Sequence, residues 1–360
     1  MPTEIESRSS DTSLARVDVP ANPRSSKSQR IPALDFTKGA LVLIMVLYHW
    51  INYFVGSQWA YYEYLHFLTP SFIFIAGFTI SSVYLSKYAV TDSRLSKRLF
   101  TRGLKLVAIF LVLNVARTII VPVLGTGVLV RNFVSLGNVF TVFVSGNLPI
   151  TGGKLVAFSI LVPISYMLIL SGVLMVPYRF FKYTFHVVCV LLLSSIAILG
   201  LRGEHSYNLE FLAIGMLGVL TGFTPIVAIN NFVRHPYRLA FAYACHIVAI
   251  AIWKIPFPFL VVAVLLNLMT IYLVGSSGRE SGTMKSEVIL LGKYSLFWYI
   301  SQIAILQILS AAFHHTTLGS AALGISFVAA FALTIACTEI VDRTRANSAT
   351  VDRLYKAVFA

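Results

Sequence analysis

ALDFTKGALVLIMVLYHW, residues 33–50, decides the architecture of this chain. The stretch is apolar enough to enter a bilayer, yet it carries Asp35 and Lys38 near one end and His49 near the other. Ionisable side chains are costly in hydrocarbon and mark functional positions there. In an α-helix the eleven steps from Lys38 to His49, ~100° each, return to within about 20° of the starting direction and rise roughly 16 Å. Asp35 to His49 is fourteen steps, about 40° short of four full turns. One helix face therefore carries an acid and a cation near the boundary and an imidazole beyond the midplane. Periodicity alone leaves Lys38 two readings: one end of a polar track, or a boundary lysine snorkelling toward water.

The remaining sequence is of the same kind. Its 360 residues have a mean hydropathy of +0.81, with 57% hydrophobic and 12% charged residues. So few charges cannot cover a soluble core of this size, and the apolar runs are continuous rather than alternating, which excludes a transmembrane β-barrel. The expected fold class is all-α, a polytopic membrane protein. Apolar segments of spanning length lie near 36–55, 67–86, 103–122, 155–177, 184–201, 209–228, 239–254, 257–275, 288–312 and 318–341. The Gly-rich stretch 124–153 either crosses or stays outside as a loop with a re-entrant piece.

Charge distribution decides between these. With ten spans and a cytoplasmic N-terminus, the inner segments hold 22 of the 28 Lys and Arg. The outer ones hold five, Arg117, Arg131, Lys154, Arg202 and Lys254, and Lys38 lies within the first span. An eleventh crossing at 124–153 would leave only 14 inside. The positive-inside bias thus favours about ten helices, both termini in the cytoplasm and an outer loop at 124–153. Residues 1–32, poor in large apolar side chains, are expected as a disordered cytoplasmic tail without a signal peptide. Residues 33–341 form the membrane domain and 342–360 a cytoplasmic tail. A multi-pass protein of the cell (inner) membrane is the expected localisation.

The net charge of +14 does not point to nucleic acid, because the cations sit in short loops between apolar spans. Cys189, Cys245 and Cys337 lie inside apolar segments and form neither a disulfide framework nor a metal-ligand spacing, so no metal is expected.

The opening stretch resembles the start of the membrane-bound acyltransferase 3 family and of the wider transmembrane acyltransferase superfamily that includes heparan-α-glucosaminide N-acetyltransferase. The family pattern is an Asp, an Arg or Lys three residues later, then ten residues and a His, which Asp35, Lys38 and His49 match. TPSFIFIAGFTISSVYL (69–85), SKRLFTRGLKL (96–106) and LLGKYSLFWYISQIAIL (290–306) are similar to the family's second, third and late helices, in the same order. Two departures stand out. Ser301-Gln302 occupies the place of a late-helix histidine, and Arg98 and Arg102 are more widely spaced than the paired arginines of some members.

The resemblance implies transfer of an acyl group, acetyl first, from cytoplasmic acyl-CoA to a hydroxyl or amine of a glycan or other cell-surface acceptor. O-acetylation in polysaccharide modification is the leading form. His49 would act as general base or as an acyl carrier, with Lys38 on the same helix face and Asp35 orienting Lys38. Lys38, together with Arg94, Lys97, Arg98 and Arg102 of a basic stretch that also holds Lys87 and Lys105, would grip the phosphates of the nucleotide. His66, Glu210 and Tyr299 are candidates for acceptor binding, with Arg117 and Ser295 as further cavity residues. The aromatic cluster Trp59, Tyr61, Tyr62 and Tyr64 suits an interfacial belt or a sugar platform. Membrane lipids are the other expected partners. The alternative is a transporter or flippase of a lipid-linked sugar, against which the sequence offers no internal repeat and no matched pair of Gly/Pro-broken helices.

Overall fold

The computed structural model describes residues 31–55, 64–85, 88, 93–123, 136–146, 158–233, 235–252, 257–277, 282–313 and 319–359. Most of these residues are helical, with no strand among them. The expected tail up to residue 30, Trp59, Tyr61, Tyr62, Lys87, most of the 124–153 loop and the Arg117 side chain lie outside the described residues.

Helix α1 (Pro32–Trp50) starts with Pro32 in its first turn, where a missing N–H leaves no bond unmade, and runs into a π-helical segment, Ile51–Val55. It is the hub. Leu41 and Met45 belong to one apolar cluster, Val42 to a second and Val46 to a third. A helix that is apolar on several faces is a buried one. Helix α2 (Leu68–Thr79) likewise ends in a π-helical segment, Ile80–Tyr84. Helix α3 (Ser93–Val123) is followed by the short α4 (Leu136–Ser145), then α5 (Leu161–Tyr178) and α6 (Thr184–Leu201). Helix α7 (Tyr207–Thr221) leads to α8 (Ile226–Val233), α9 (Pro236–Ile252) and α10 (Phe257–Ser276). Helices α11 (Thr283–Lys293), α12 (Ser295–Phe313), α13 (Ser320–Asn347) and α14 (Ala349–Phe359) complete the chain.

Among the described residues, six helices are long and apolar enough to cross a membrane, and eight do so if each of two bent pairs counts as one span. Helices α2 with its π segment and α9 are shorter apolar helices. The apolar segments expected at 209–228 and 288–312 are not straight. Between α7 and α8 the chain turns by 100° and between α11 and α12 by 93°. The first bend falls at Gly222-Phe-Thr-Pro225, where Pro225 supplies no N–H and disfavours helical geometry in the residue before it. The second falls at Tyr294, whose hydroxyl donates to Asp342 of α13.

Apolar surface by itself gives helices little reason to associate in lipid, so close backbone approach matters more there. Three crossings use it. Helices α1 and α11 meet at Gly39 and Gly292, α2 and α7 at Gly77, Gly215 and Gly218, and α3 and α5 at Gly103 and Gly172. The α2–α7 pair is also bonded by Ser81 Oγ, which donates to the Val219 carbonyl at 2.6 Å.

Within the expected outer loop, α4 is an element of ten residues, about 15 Å long and too short to span. Its last carbonyls are held from α7. Asn208 Nδ2 donates to Val142 and Phe143 at 2.8 and 2.9 Å, and Ser206 Oγ donates to Val144 at 3.1 Å. Past residue 341 the chain stays helical through Asn347, and α14 folds back on the end of the bundle. Arg345 binds Asp352 at 2.6 Å and lies over the Tyr355 ring, while Tyr355 and Phe359 pack on Tyr294 and Phe297.

Candidate functional site

A cavity of about 250 Å³ opens where α1, α2, α3, α5, α12 and α14 converge. Lys38, Arg102 and Lys105 line it, together with Tyr84 and Ser295. Among the described residues its wall holds three cations and no carboxylate. The remainder is apolar apart from Thr79 and Tyr299.

Each polar group is set in place by local structure. Lys38 sits in the second turn of α1, and its Nζ lies 3.2 Å from Asp35 Oδ1, one turn back on the same face. The Gly39–Gly292 crossing brings the end of α11 against this turn and so delivers Ser295 and Tyr299, at the start of α12, to the same cavity. On α3, Arg102 donates to the Tyr84 hydroxyl and its guanidinium lies 5.5 Å from the Tyr84 ring centroid. Arg98 donates to the Tyr88 hydroxyl at 2.8 Å. Two arginines spaced by four thus meet two tyrosines spaced by four. The π-helical segment ending in Tyr84 widens the last turn of α2 at the cavity rim, a distortion frequent at functional sites.

Of the residues expected to hold an acyl-CoA, the structure brings Lys38 and Arg102 together and adds Lys105. Arg94, Lys97 and Arg98 are exposed on α3 and do not line the cavity. Among the expected acceptor residues, Tyr299 is on the cavity wall. His66 lines a separate small crevice with Tyr64, Tyr243, His246 and Asn267. Glu210 lies in the first turn of α7, 3.5 Å from His205 Nδ1, and belongs to neither cavity.

His49 stands eleven residues beyond Lys38 on α1, against the Tyr48 ring and just before the π-helical segment. It does not line the cavity. Val42 and Met45, which share the Lys38–His49 face, are both buried, so packed side chains separate the imidazole from the cavity. Two further polar residues face the interior from α12. Gln302 donates to the Tyr299 carbonyl at 3.4 Å while its Oε1 is buried without a partner among the described residues, and Trp298 Nε1 is buried likewise. Buried polar groups left unpaired are uncommon and call for an explanation.

Sequence reasoning passed over Tyr84 and Tyr88; their spacing in YLSKY, matched to Arg98-x-x-x-Arg102, was the available signal. Gln302 stood out only as a departure from a family pattern. No family model matches the chain, and neither curated proteins nor solved structures match it.

Proposed function

We propose that the chain is a membrane acyltransferase of ten spans, with both termini in the cytoplasm, that moves an acyl group from acyl-CoA to a hydroxyl or amine of a cell-surface acceptor. The observation that carries this reading is the convergence of Lys38, Arg102 and Lys105 on one cavity whose remaining wall is mostly apolar. A polyphosphate on a long arm fits that polarity. The guanidinium grips phosphate through two parallel bonds, and the ammonium groups add point charge. Among the described residues the lining itself has no carboxylate, and Asp35, 3.2 Å from Lys38 Nζ, offsets part of that one ammonium's charge.

In the reaction the acceptor oxygen or nitrogen attacks the thioester carbon, the C–S bond breaks, and coenzyme A leaves as its thiol. His49 takes the acceptor's proton and returns it to the leaving sulfur, work that an imidazole ring nitrogen can do. Met45, unbranched and adaptable, is the side chain that must yield for the thioester to reach the His49 ring.

Purified protein in micelles, given radiolabelled acetyl-CoA or a longer labelled acyl-CoA, should release free coenzyme A and transfer or hydrolyse the label. Absence of any turnover with acyl-CoA and acceptor mixtures sinks the reading. Transport of a lipid-linked sugar is the second reading, favoured by the two helix pairs bent by 100° and 93°, since broken helices build the central sites of many transporters. It requires uptake or flipping in sealed vesicles with no thioester consumed.

A further inference from the structure

The α5–α6 turn and the α7–α8 bend form a surface that the central cavity does not use. Five residues, Arg179-Phe-Phe-Lys-Tyr183, join two helices of membrane-spanning length. Their rings are turned outward: Phe180 is 89% exposed, Phe181 50% and Tyr183 63%. Arg179 and Lys182 are exposed among these rings. Helix α6 continues the surface with Val187 and Val190 exposed, so the turn borders hydrocarbon.

The turn is braced from the neighbouring bend. Phe223 stacks on Tyr178 and on His186, with ring centroids 6.0 and 6.4 Å apart. That contact brings α8 to the same end of the bundle. Helix α8 leaves α7 at 100°, so with α7 crossing the bilayer it runs along the surface, for about 12 Å. It exposes Val227 and Phe232, and its Asn230 Oδ1 accepts from the Tyr272 hydroxyl at 2.8 Å. A helix in the membrane plane with exposed apolar side chains belongs at headgroup level.

The charge on this end is of one sign. Neither 93–203 nor 211–279 contains an Asp or Glu, and Glu210 stands at the opposite end of α7. Arg94 and Lys97, exposed on α3, lie at the same end, because Ser96 Oγ donates to the Gly172 carbonyl of α5 at 2.5 Å.

We infer that the turn is a binding site for the headgroup of an anionic phospholipid. Phe180 and Phe181 insert beside the acyl chains while Arg179 and Lys182 hold the phosphate, the guanidinium through two parallel bonds. A zwitterionic headgroup brings an ammonium for which these elements supply no carboxylate. The site is independent of what the central cavity binds.

Phe180→Trp puts a reporter in the turn, read as the emission difference between the variant and the parent protein. The full chain is reconstituted in mixed phosphatidylcholine and phosphatidylglycerol vesicles, with one lipid or the other brominated on its acyl chains at equal mole fraction. Brominated phosphatidylglycerol should quench the new indole more strongly. Local enrichment should fall about fivefold for each cation removed, so adding Arg179→Gln and Lys182→Gln should bring the two lipids level. Tyr183→Trp provides the same reading should the first variant fail to fold, with helicity and melting temperature as checks. An indole quenched by neither lipid, emitting as in water or under a protein partner, overturns the site. Equal quenching by both lipids leaves an apolar anchor without headgroup recognition and overturns it too. A preference that survives both glutamine substitutions assigns the selectivity to other cations, with the same consequence.

Discussion

Gly39 of α1 and Gly292 of α11 lie backbone against backbone: a Cβ on Gly39 would run into the Val288 carbonyl, and one on Gly292 into the Asp35 carbonyl. The stretches DFTKG and LLGKYS, some 250 residues apart in sequence, are therefore one contact. That contact carries Ser295 and Tyr299 to the wall that Lys38 occupies. Glycine serves here by having no side chain where two helices touch.

Gly292→Val should force α11 off α1. Overpacking a tight site costs about 1–3 kcal/mol, so the melting temperature in detergent should fall by several degrees. Coenzyme A affinity should fall with it, because Ser295 and the α12 terminus move away from Lys38. A variant with unchanged melting and binding would mean that the helices are not in contact at this point.

Tyr84→Phe removes the hydroxyl that receives the Arg102 proton while keeping the ring under the guanidinium. Hydrogen bonds to charged groups are worth about 1.5–3 kcal/mol, and part of that positions the arginine for phosphate. Coenzyme A binding should weaken about threefold to tenfold. Arg102→Lys should not restore a wild-type value, since an ammonium lacks the planar pair of donors. Titration calorimetry of the two variants decides the matter.

His49→Ala should lower acyl transfer by at least about a hundredfold, the usual scale for a lost general base, with coenzyme A affinity intact. Met45→Phe should lower turnover too, because a rigid ring cannot yield to let the thioester reach the imidazole, again without loss of binding. Near-normal turnover of His49→Ala in labelled acyl-CoA assays would remove the histidine from the mechanism.

Asp352 ties α14 down. Bonds from Lys356 and then Arg345 hold its carboxyl below the ordinary value of 3.8. A depressed carboxylate contributes its stabilisation above the pKa it has when undocked and loses it as pH falls through the lower docked value. Helix α14, whose Val358 and Phe359 form part of the cavity wall, should stay docked at neutral pH and loosen only in strong acid. Asp352→Asn should loosen it at neutral pH. Trypsin cleavage after Arg353 and hydrogen exchange across 349–359 report both; equal protection in the variant would show that the aromatic contacts of Tyr355 and Phe359 suffice.

Much of this was legible in the linear sequence, because helix periodicity is local. Continuous apolar runs predict membrane-crossing helices, and the spacing of Lys38 and His49 places them on one face without reference to any neighbour. The positions of Arg94, Lys97, Arg98 and Arg102 in one basic stretch were equally plain, but not which of them turns inward. Arg98 and Arg102 are a full helical turn apart, and the cavity takes only Arg102, because the other helices decide where its wall runs. His66, Glu210 and Tyr299 looked equivalent as polar residues near helix ends, and only Tyr299 meets Lys38.

The amino-acid sequence by itself determined that this is a helical chain built for a bilayer, and which side chains share a helix face, since both follow from composition and from a fixed rotation per residue. Only the tertiary structure decided that α11 bends into α12 beside Lys38, that Val42 and Met45 fill the space between Lys38 and His49, and that Tyr84 holds Arg102. Those facts depend on which helices touch and how closely. In lipid that is set by small residues and single hydrogen bonds between distant segments, which leave no period in the sequence to read.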